Sequence, residues 1–303
     1  MTPPRQSPAS SLPLAAYATA IAGIGLFSIM DMVIKALVIA VGTYSTMLFR
    51  SMVGAGLAAL LALVLRPGRP SRAAMRLHVV RGLITAIMSF LFFWGLGRVP
   101  MAQAVALSFI APLLALVLAA LILRERLGRK AVGASLLAFA GVIVIFFGQA
   151  RAQMGREALL GSGAILVSAV IYAWNIVIMR QQALAAKPVE IALFQNVIVC
   201  AAMLAAVPVA GMPPLPTGHW PELVIAACLA IASQLLLAWA YARAGAAYLS
   251  STEYSSFLWA MALGWLRFGE DVSPFTLAGA GLILAGCWIA ARAVEHPVLE
   301  ASA

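Results

Sequence analysis

The chain has 303 residues, 64% of them hydrophobic and 10% charged, with a formal net charge of +10 and a mean hydropathy of +1.01. Soluble domains are about half apolar and about a quarter charged, so this composition excludes a soluble globular protein. Nor does the basic balance indicate nucleic acid, because Lys and Arg fall in short connections between apolar stretches, as the positive-inside rule expects.

The first apolar stretch follows Arg5 and runs uncharged to Met30. That is longer than the apolar region of a secretory signal, and it reads as an uncleaved first helix. Further charge-free runs cover 99–123, 131–150, 158–179, 191–221, 223–242 and 272–291. About 20 apolar residues cross the hydrocarbon core as a helix, so each run is a candidate span. A transmembrane β-barrel needs short alternating segments, and these unbroken runs exclude one. Three more spans appear once an embedded charge is allowed: 44–65 with Arg50, 77–97 with Arg81 and 246–266 with Glu253. The expected helices are 13–36, 44–65, 77–97, 101–123, 131–148, 158–180, 190–209, 222–242, 246–268 and 274–293. The chain reads as an all-α polytopic membrane protein of ten transmembrane helices. Cys200, Cys228 and Cys287 lie inside apolar runs without Cys-x-x-Cys spacing; they read as small buried hydrophobes, implying neither metal nor disulfide.

With a cytoplasmic N-terminus, thirteen Lys and Arg residues fall on the inner side and four on the outer, leaving Lys35, Arg50 and Arg81 within spans. Both termini are therefore expected in the cytoplasm. Sliding the sequence against itself reveals a gapless register of 145 residues. It pairs Lys35 with Arg180, Phe49 with Phe194, Trp94 with Trp239, Arg98 with Arg243, Glu125 with Glu270 and Gly141 with Gly286. Five helices per unit is an odd number, so the second copy enters the membrane upside down. The charges agree: Arg66, Arg69, Arg72 and Arg76 map onto Gly211, Pro214, Thr217 and Pro221. Inverted repeats mark alternating-access transporters, whose substrate site lies near the midplane between the halves.

Ala111-Pro112, followed thirteen residues on by Glu125-Arg126-Leu127 and then Ala140-Gly141, is one set of motifs. Its second copy is Leu263-Gly264-Trp265-Leu266, Gly269-Glu270, Gly279-Ala280 and Ala285-Gly286. With Met30-Asp31, Lys35 and Phe49-Arg50, these motifs resemble the EamA-type branch of the drug/metabolite transporter superfamily over nearly the whole chain. The repeats then run 13–148 and 158–293. One departure is Phe257, where the family's second repeat carries a proline. The resemblance implies a ten-helix basket in the bacterial inner membrane, a central cavity, and export of small metabolites. Among members, an exporter of aromatic amino acids is the one it most resembles.

Charges inside spans cost roughly 3 kcal/mol each on insertion scales and need a partner or a wet cavity. Asp31 and Lys35, four apart on one helical face, can meet, and Arg50 can join them. This cluster reads either as an outer gate or as a static ion pair between helices 1 and 2. Glu253 is a lone acid that could bind a proton or a substrate ammonium, or sit neutral and hydrogen-bonded. Glu125 and Glu270 stand where a helix ends and a turn begins, and they read as structural caps. Tyr172, Trp174 and Asn175 on helix 6, Gln234 and Tyr241 on helix 8, and Glu253, Tyr254, Ser256 and Trp259 on helix 9 are expected to line the cavity. The alternative for each is ordinary helix packing. Pro112 removes a backbone hydrogen bond and can act as a hinge; its absence at Phe257 predicts that helices 4 and 9 bend differently.

The expected function is export of amino acids, aromatic or large and hydrophobic, by alternating access without ATP. A proton-coupled carrier for drugs, nucleosides or other metabolites is the alternative, and a channel or an intramembrane enzyme a more distant one. His78, His219 and His296 fall at span ends or in loops, and neither His-Glu-x-x-His nor a Gly-x-x-x-x-Gly-Lys-[Ser/Thr] motif is present. No metal or other cofactor is expected. The expected partners are a small-molecule substrate and the lipid bilayer, with monomer and homodimer both open.

Overall fold

A computed structural model describes residues 11–66, 70–123, 129–152, 155–241, 243 and 252–294, and among them every regular element is a helix. The first repeat comprises α1 (Ser11–Val41), α2 (Thr43–Leu65), α3 (Arg72–Leu96), α4 (Met101–Ser108), α5 (Ala111–Leu123) and α6 (Arg129–Arg151). The second comprises α7 (Gly155–Ala185), α8 (Pro188–Ala205), α9 (Val207–Ala210), α10 (Trp220–Tyr241), α11 (Ser255–Phe268) and α12 (Pro274–Val294). Seven of the described helices are long and apolar enough to cross a membrane, and Met101–Ala115 and Pro274–Ile289 form shorter apolar helices. This is a multi-pass membrane protein.

Two expected spans are interrupted. The helix expected over 101–123 is split into α4 and α5, just ahead of Pro112. A proline ring has no N–H to give the carbonyl four residues back, so Ser108 loses its helical donor. There the bonding tightens, with Phe109 N–H reaching both Val105 and Ala106 and Ile110 N–H reaching Leu107. The helix expected over 246–268 is described only from residue 252, and α11 begins at Ser255 after a turn at Tyr254. Tyr254 stands 145 residues after Phe109, and Phe257 N–H bonds Tyr254 three residues back. Both helices are thus interrupted at matching stations, although only the first carries a proline. The two interruption points face each other, the rings of Phe109 and Tyr254 packing edge to face at 5.9 Å.

The bundle is built for lipid. Large apolar side chains such as Leu63, Leu136, Phe139 and Leu266 point outward, whereas Asp31, Lys35, Thr46, Ser51, His78 and Gln103 are buried. Cys287 is buried as expected, but Cys228 is exposed; an apolar surround accepts a thiol on the outer face as readily as a core does.

The repeats hold each other pairwise: α6 along α12, α2 along α8, α1 along α10 and α3 along α7. The 145-residue register turns α1 into α7 and α3 into α10, so the last two contacts exchange. The closest approach obeys the same rule. A Cβ at Gly141 would lie 2.5 Å from the Gly279 carbonyl oxygen, and one at Gly286 would lie 2.6 Å from the Ala134 carbonyl oxygen. Adding 145 to Gly141 gives Gly286, and subtracting it from Gly279 gives Ala134. Backbone meets backbone at two stations of one two-fold seam, which only residues without bulk permit. Gly279→Ala should therefore lower the thermal midpoint in detergent, since overpacking costs about 1–3 kcal/mol. Gly281→Ala, where an added Cβ meets nothing within 4 Å, should leave that midpoint at or above wild type.

Candidate functional site: a cavity between the repeats

A cavity of about 130 Å3 lies among α1, α2, α3, α8 and α10. Its polar wall includes Arg50, Thr85, Ser89, Gln195, Asn196 and Gln234, and its apolar wall includes Phe27, Met30 and Phe93. Three pairs of lining residues, Arg50 with Gln195, Thr85 with Ala230 and Ser89 with Gln234, are each 145 apart. The cavity therefore sits on the pseudo-two-fold axis. Asn196 reaches it because α2 offers Gly54 opposite, while its amide nitrogen donates back to the Ala192 carbonyl at 2.9 Å. On the other side of α3, Phe90, Trp94 and Arg98 face a wider open vestibule of about 880 Å3 with Tyr44 and Glu157.

The structure divides the expected cluster of Asp31, Lys35 and Arg50. Lys35 Nζ pairs with the Glu270 carboxylate, donates to the Val99 carbonyl at 2.6 Å, and lies 5.2 Å from the Phe268 ring centroid. Glu270 also accepts from Met101 N–H at 2.7 Å. It is a cap, but of α4 in the opposite repeat rather than of the helix that follows it. Pro100 precedes α4 and has no side chain to offer the exposed amides. The positive φ of 64° at Gly269 turns the chain so that Glu270 can reach across. Asp31 and Arg50 lie in each other's field but form no ion pair. Arg50 instead stands over the Phe93 ring, 6.0 Å from its centroid.

Of the expected lining residues, Gln234 faces the cavity. Tyr172 and Asn175 occupy the stations of Phe27 and Met30 in the other repeat, with the Asn175 side-chain oxygen buried and unpartnered. Trp174 is 46% exposed, on the outer surface of the bundle. Trp259 lies against Gly25 of α1, Ser256 Oγ donates to the Glu253 carbonyl at 2.7 Å, and the Glu253 charge reaches Tyr172 and Tyr254. The side chain of Tyr241, and Glu125 altogether, lie outside the described residues.

The two halves match the EamA-like transporter family over residues 14–147 and 159–292. The chain belongs to that family. It is 25% identical over 266 residues to the pseudopaline exporter CntI of Pseudomonas aeruginosa, covering 86% of this chain and 90% of that one. It is 29% identical over 218 residues to a riboflavin transporter of Rhizobium johnstonii, covering 70% of each. A solved crystal structure, 20% identical, superposes with a TM-score of 0.61 over 93% of this chain and 98% of its own, which shows the shared fold. These relatives do not support a specific likeness to YddG, an exporter of aromatic amino acids.

This EamA-like transporter also carries a buried polar chain that no motif announced. Arg81 Nη1 donates to Gln182 Oε1. A guanidinium only donates, so Gln182 must turn its amide nitrogen to His78 Nδ1, at 2.6 Å. His78 then presents Nε2–H to Glu190 Oε1 at 2.8 Å, and its ring stacks on Phe194 with centroids 4.8 Å apart. Arg81 thus fixes the imidazole tautomer from two residues away in the chain of bonds. In the sequence the signal was Arg81, a charge embedded in a span and so in need of a partner; His78, Gln182 and Glu190 look like ordinary residues near helix ends.

Two outcomes follow for thermal unfolding in detergent. Glu270→Gln should cost roughly 3–5 kcal/mol by leaving Lys35 unpaired. Glu270→Gln with Lys35→Met should recover most of that loss; strictly additive effects would show that the pair does not interact. Gln182→Leu should cost about 1–3 kcal/mol for each group it orphans, whereas Gln181→Leu, at an exposed neighbour, should change little.

Proposed function

We propose that this chain exports amino acids, preferring aromatic or large hydrophobic ones, across a bacterial inner membrane by alternating access. The observation that carries this reading is the cavity between the repeats. It combines rings and thioether at Phe27, Met30 and Phe93 with amides at Gln195, Asn196 and Gln234 and one cation at Arg50. An apolar wall with a few convergent polar groups suits a small amphipathic solute, and at about 130 Å3 the hollow must widen to admit an aromatic one. Membership of a transporter family, and relatives that move pseudopaline and riboflavin, support a carrier of small organic solutes.

The arrangement proposed is two oppositely oriented five-helix repeats with both termini cytoplasmic, driven by the solute's own gradient rather than by ATP or protons. Cysteines introduced at positions 68 and 213 should then differ, only the second reacting with an impermeant reagent outside; equal labelling overturns this orientation. In liposomes, labelled Phe should show counterflow competed by Trp and Met. Competition by riboflavin or nucleosides with none by any amino acid would overturn the substrate assignment. An imposed pH gradient should not concentrate the solute, and Glu253→Gln should keep downhill transport. Uphill accumulation that Glu253→Gln abolishes would make Glu253 the coupling residue.

A further inference from the structure

We propose that the central cavity recognises the zwitterionic head of an α-amino acid, with Arg50 and Thr85 holding its carboxylate and Asp31 its ammonium group; this rests on the amino acid reading above. Three buried polar atoms carry the argument. Arg50 Nε, Thr85 Oγ1 and Asp31 Oδ1 have no hydrogen-bond partner within the protein. Asp31 and Thr85 are each more than nine-tenths buried, at 8% and 6% exposure. A buried polar atom left unpaired forfeits its whole hydration, so two on the cavity wall and a third on the residue after Met30 call for an occupant that supplies the bonds.

The chemistry of the three atoms restricts that occupant. Arg50 Nε can only donate, the Thr85 hydroxyl can donate beside it, and an ionised Asp31 can only accept. Arg50 and Thr85 line the cavity, and Asp31 directly follows its lining residue Met30. Asp31 and Arg50 feel each other's charge, yet the described ion pairs do not join them. A carboxylic acid alone would set a second anion near Asp31, and an amine alone a second cation near Arg50. A solute carrying both groups on one carbon satisfies both ends and turns its side chain toward Phe27 and Phe93. The head belongs to the first repeat, because the stations of Arg50, Thr85 and Asp31 are filled in the second by Gln195, Ala230 and Ile176.

The test uses the full chain in liposomes, measuring counterflow of labelled Phe against unlabelled Phe, phenethylamine, which lacks the carboxylate, and 3-phenylpropionate, which lacks the amine. On the wild-type protein each analogue should compete at least about tenfold more weakly than Phe, the factor that corresponds to one lost charged hydrogen bond. Arg50→Gln should weaken Phe and 3-phenylpropionate while leaving phenethylamine unchanged. Asp31→Asn should weaken Phe and phenethylamine while leaving 3-phenylpropionate unchanged. Thr85→Val, which keeps the volume, should weaken the two carboxylates alone. Should the charge variants fail to insert, the wild-type series and Thr85→Val decide the matter. If phenethylamine or 3-phenylpropionate competes as well as Phe, the zwitterion site is overturned and the amino acid reading survives. If Phe itself shows no counterflow while riboflavin or a nucleoside does, the amino acid reading falls instead.

Discussion

A charge carried into the apolar layer must find its complement inside the protein, because lipid offers none. Lys35 is the clearest case. Its ammonium draws together Glu270 and the Val99 carbonyl, while the other oxygen of Glu270 closes the amino end of α4 at Met101. One carboxylate thus ties α1, the corner between α3 and α4, and the corner between α11 and α12. Because Glu270 belongs to one repeat and its partners to the other, the halves are joined by an ion pair as well as by packing. Breaking either partner leaves a buried charge with nothing to replace it.

Packing obeys a different constraint. In lipid there is no hydrophobic force to press helix against helix, so contact area and close approach must do it. The seam between α6 and α12 brings backbones together at Gly141 with Gly279 and at Gly286 with Ala134. The cavity lies beside the contact of α2 with α8, where Gly54 makes space for Asn196. The tight seam and the hollow lie on the same two-fold axis. The fold is closed at one station and open at another.

Much of this was visible in the sequence, and the reason is periodicity. Repeats, apolar runs and a fixed offset are one-dimensional signals, and the offset of 145 reappears in the glycine contacts and in the lining of the cavity. Partnership was less visible. The nearest acid to Lys35 along the helix is Asp31, but its partner Glu270 lies 235 residues away, where spacing says nothing. The polar face of α7 illustrates a subtler failure. Tyr172 and Asn175 are the right stations, yet the hollow is bounded by Phe27 and Met30 of the matching helix, because periodicity cannot tell two related faces apart. Arg81 and His78 of α3, Gln182 of α7 and Glu190 of α8 join in one chain of bonds across three helices, a geometry no local pattern encodes.

The unlike chemistry of equivalent stations around the cavity has a kinetic consequence. Two identical halves would present the solute with the same site whichever side was open. Here a guanidinium at Arg50 is answered by an amide at Gln195, and a hydroxyl at Thr85 by a methyl at Ala230. Under the alternating access proposed, exchange of the roles of the repeats would therefore yield a different site, not a mirror of the first. For a carrier coupled to no other energy source, detailed balance forbids any net flux when concentrations are equal. Whatever ratio the two affinities take must be cancelled by the ratio of the two reorientation rates. Such a carrier is lopsided in its half-saturation and in its speed, yet it leaves the final distribution of solute untouched.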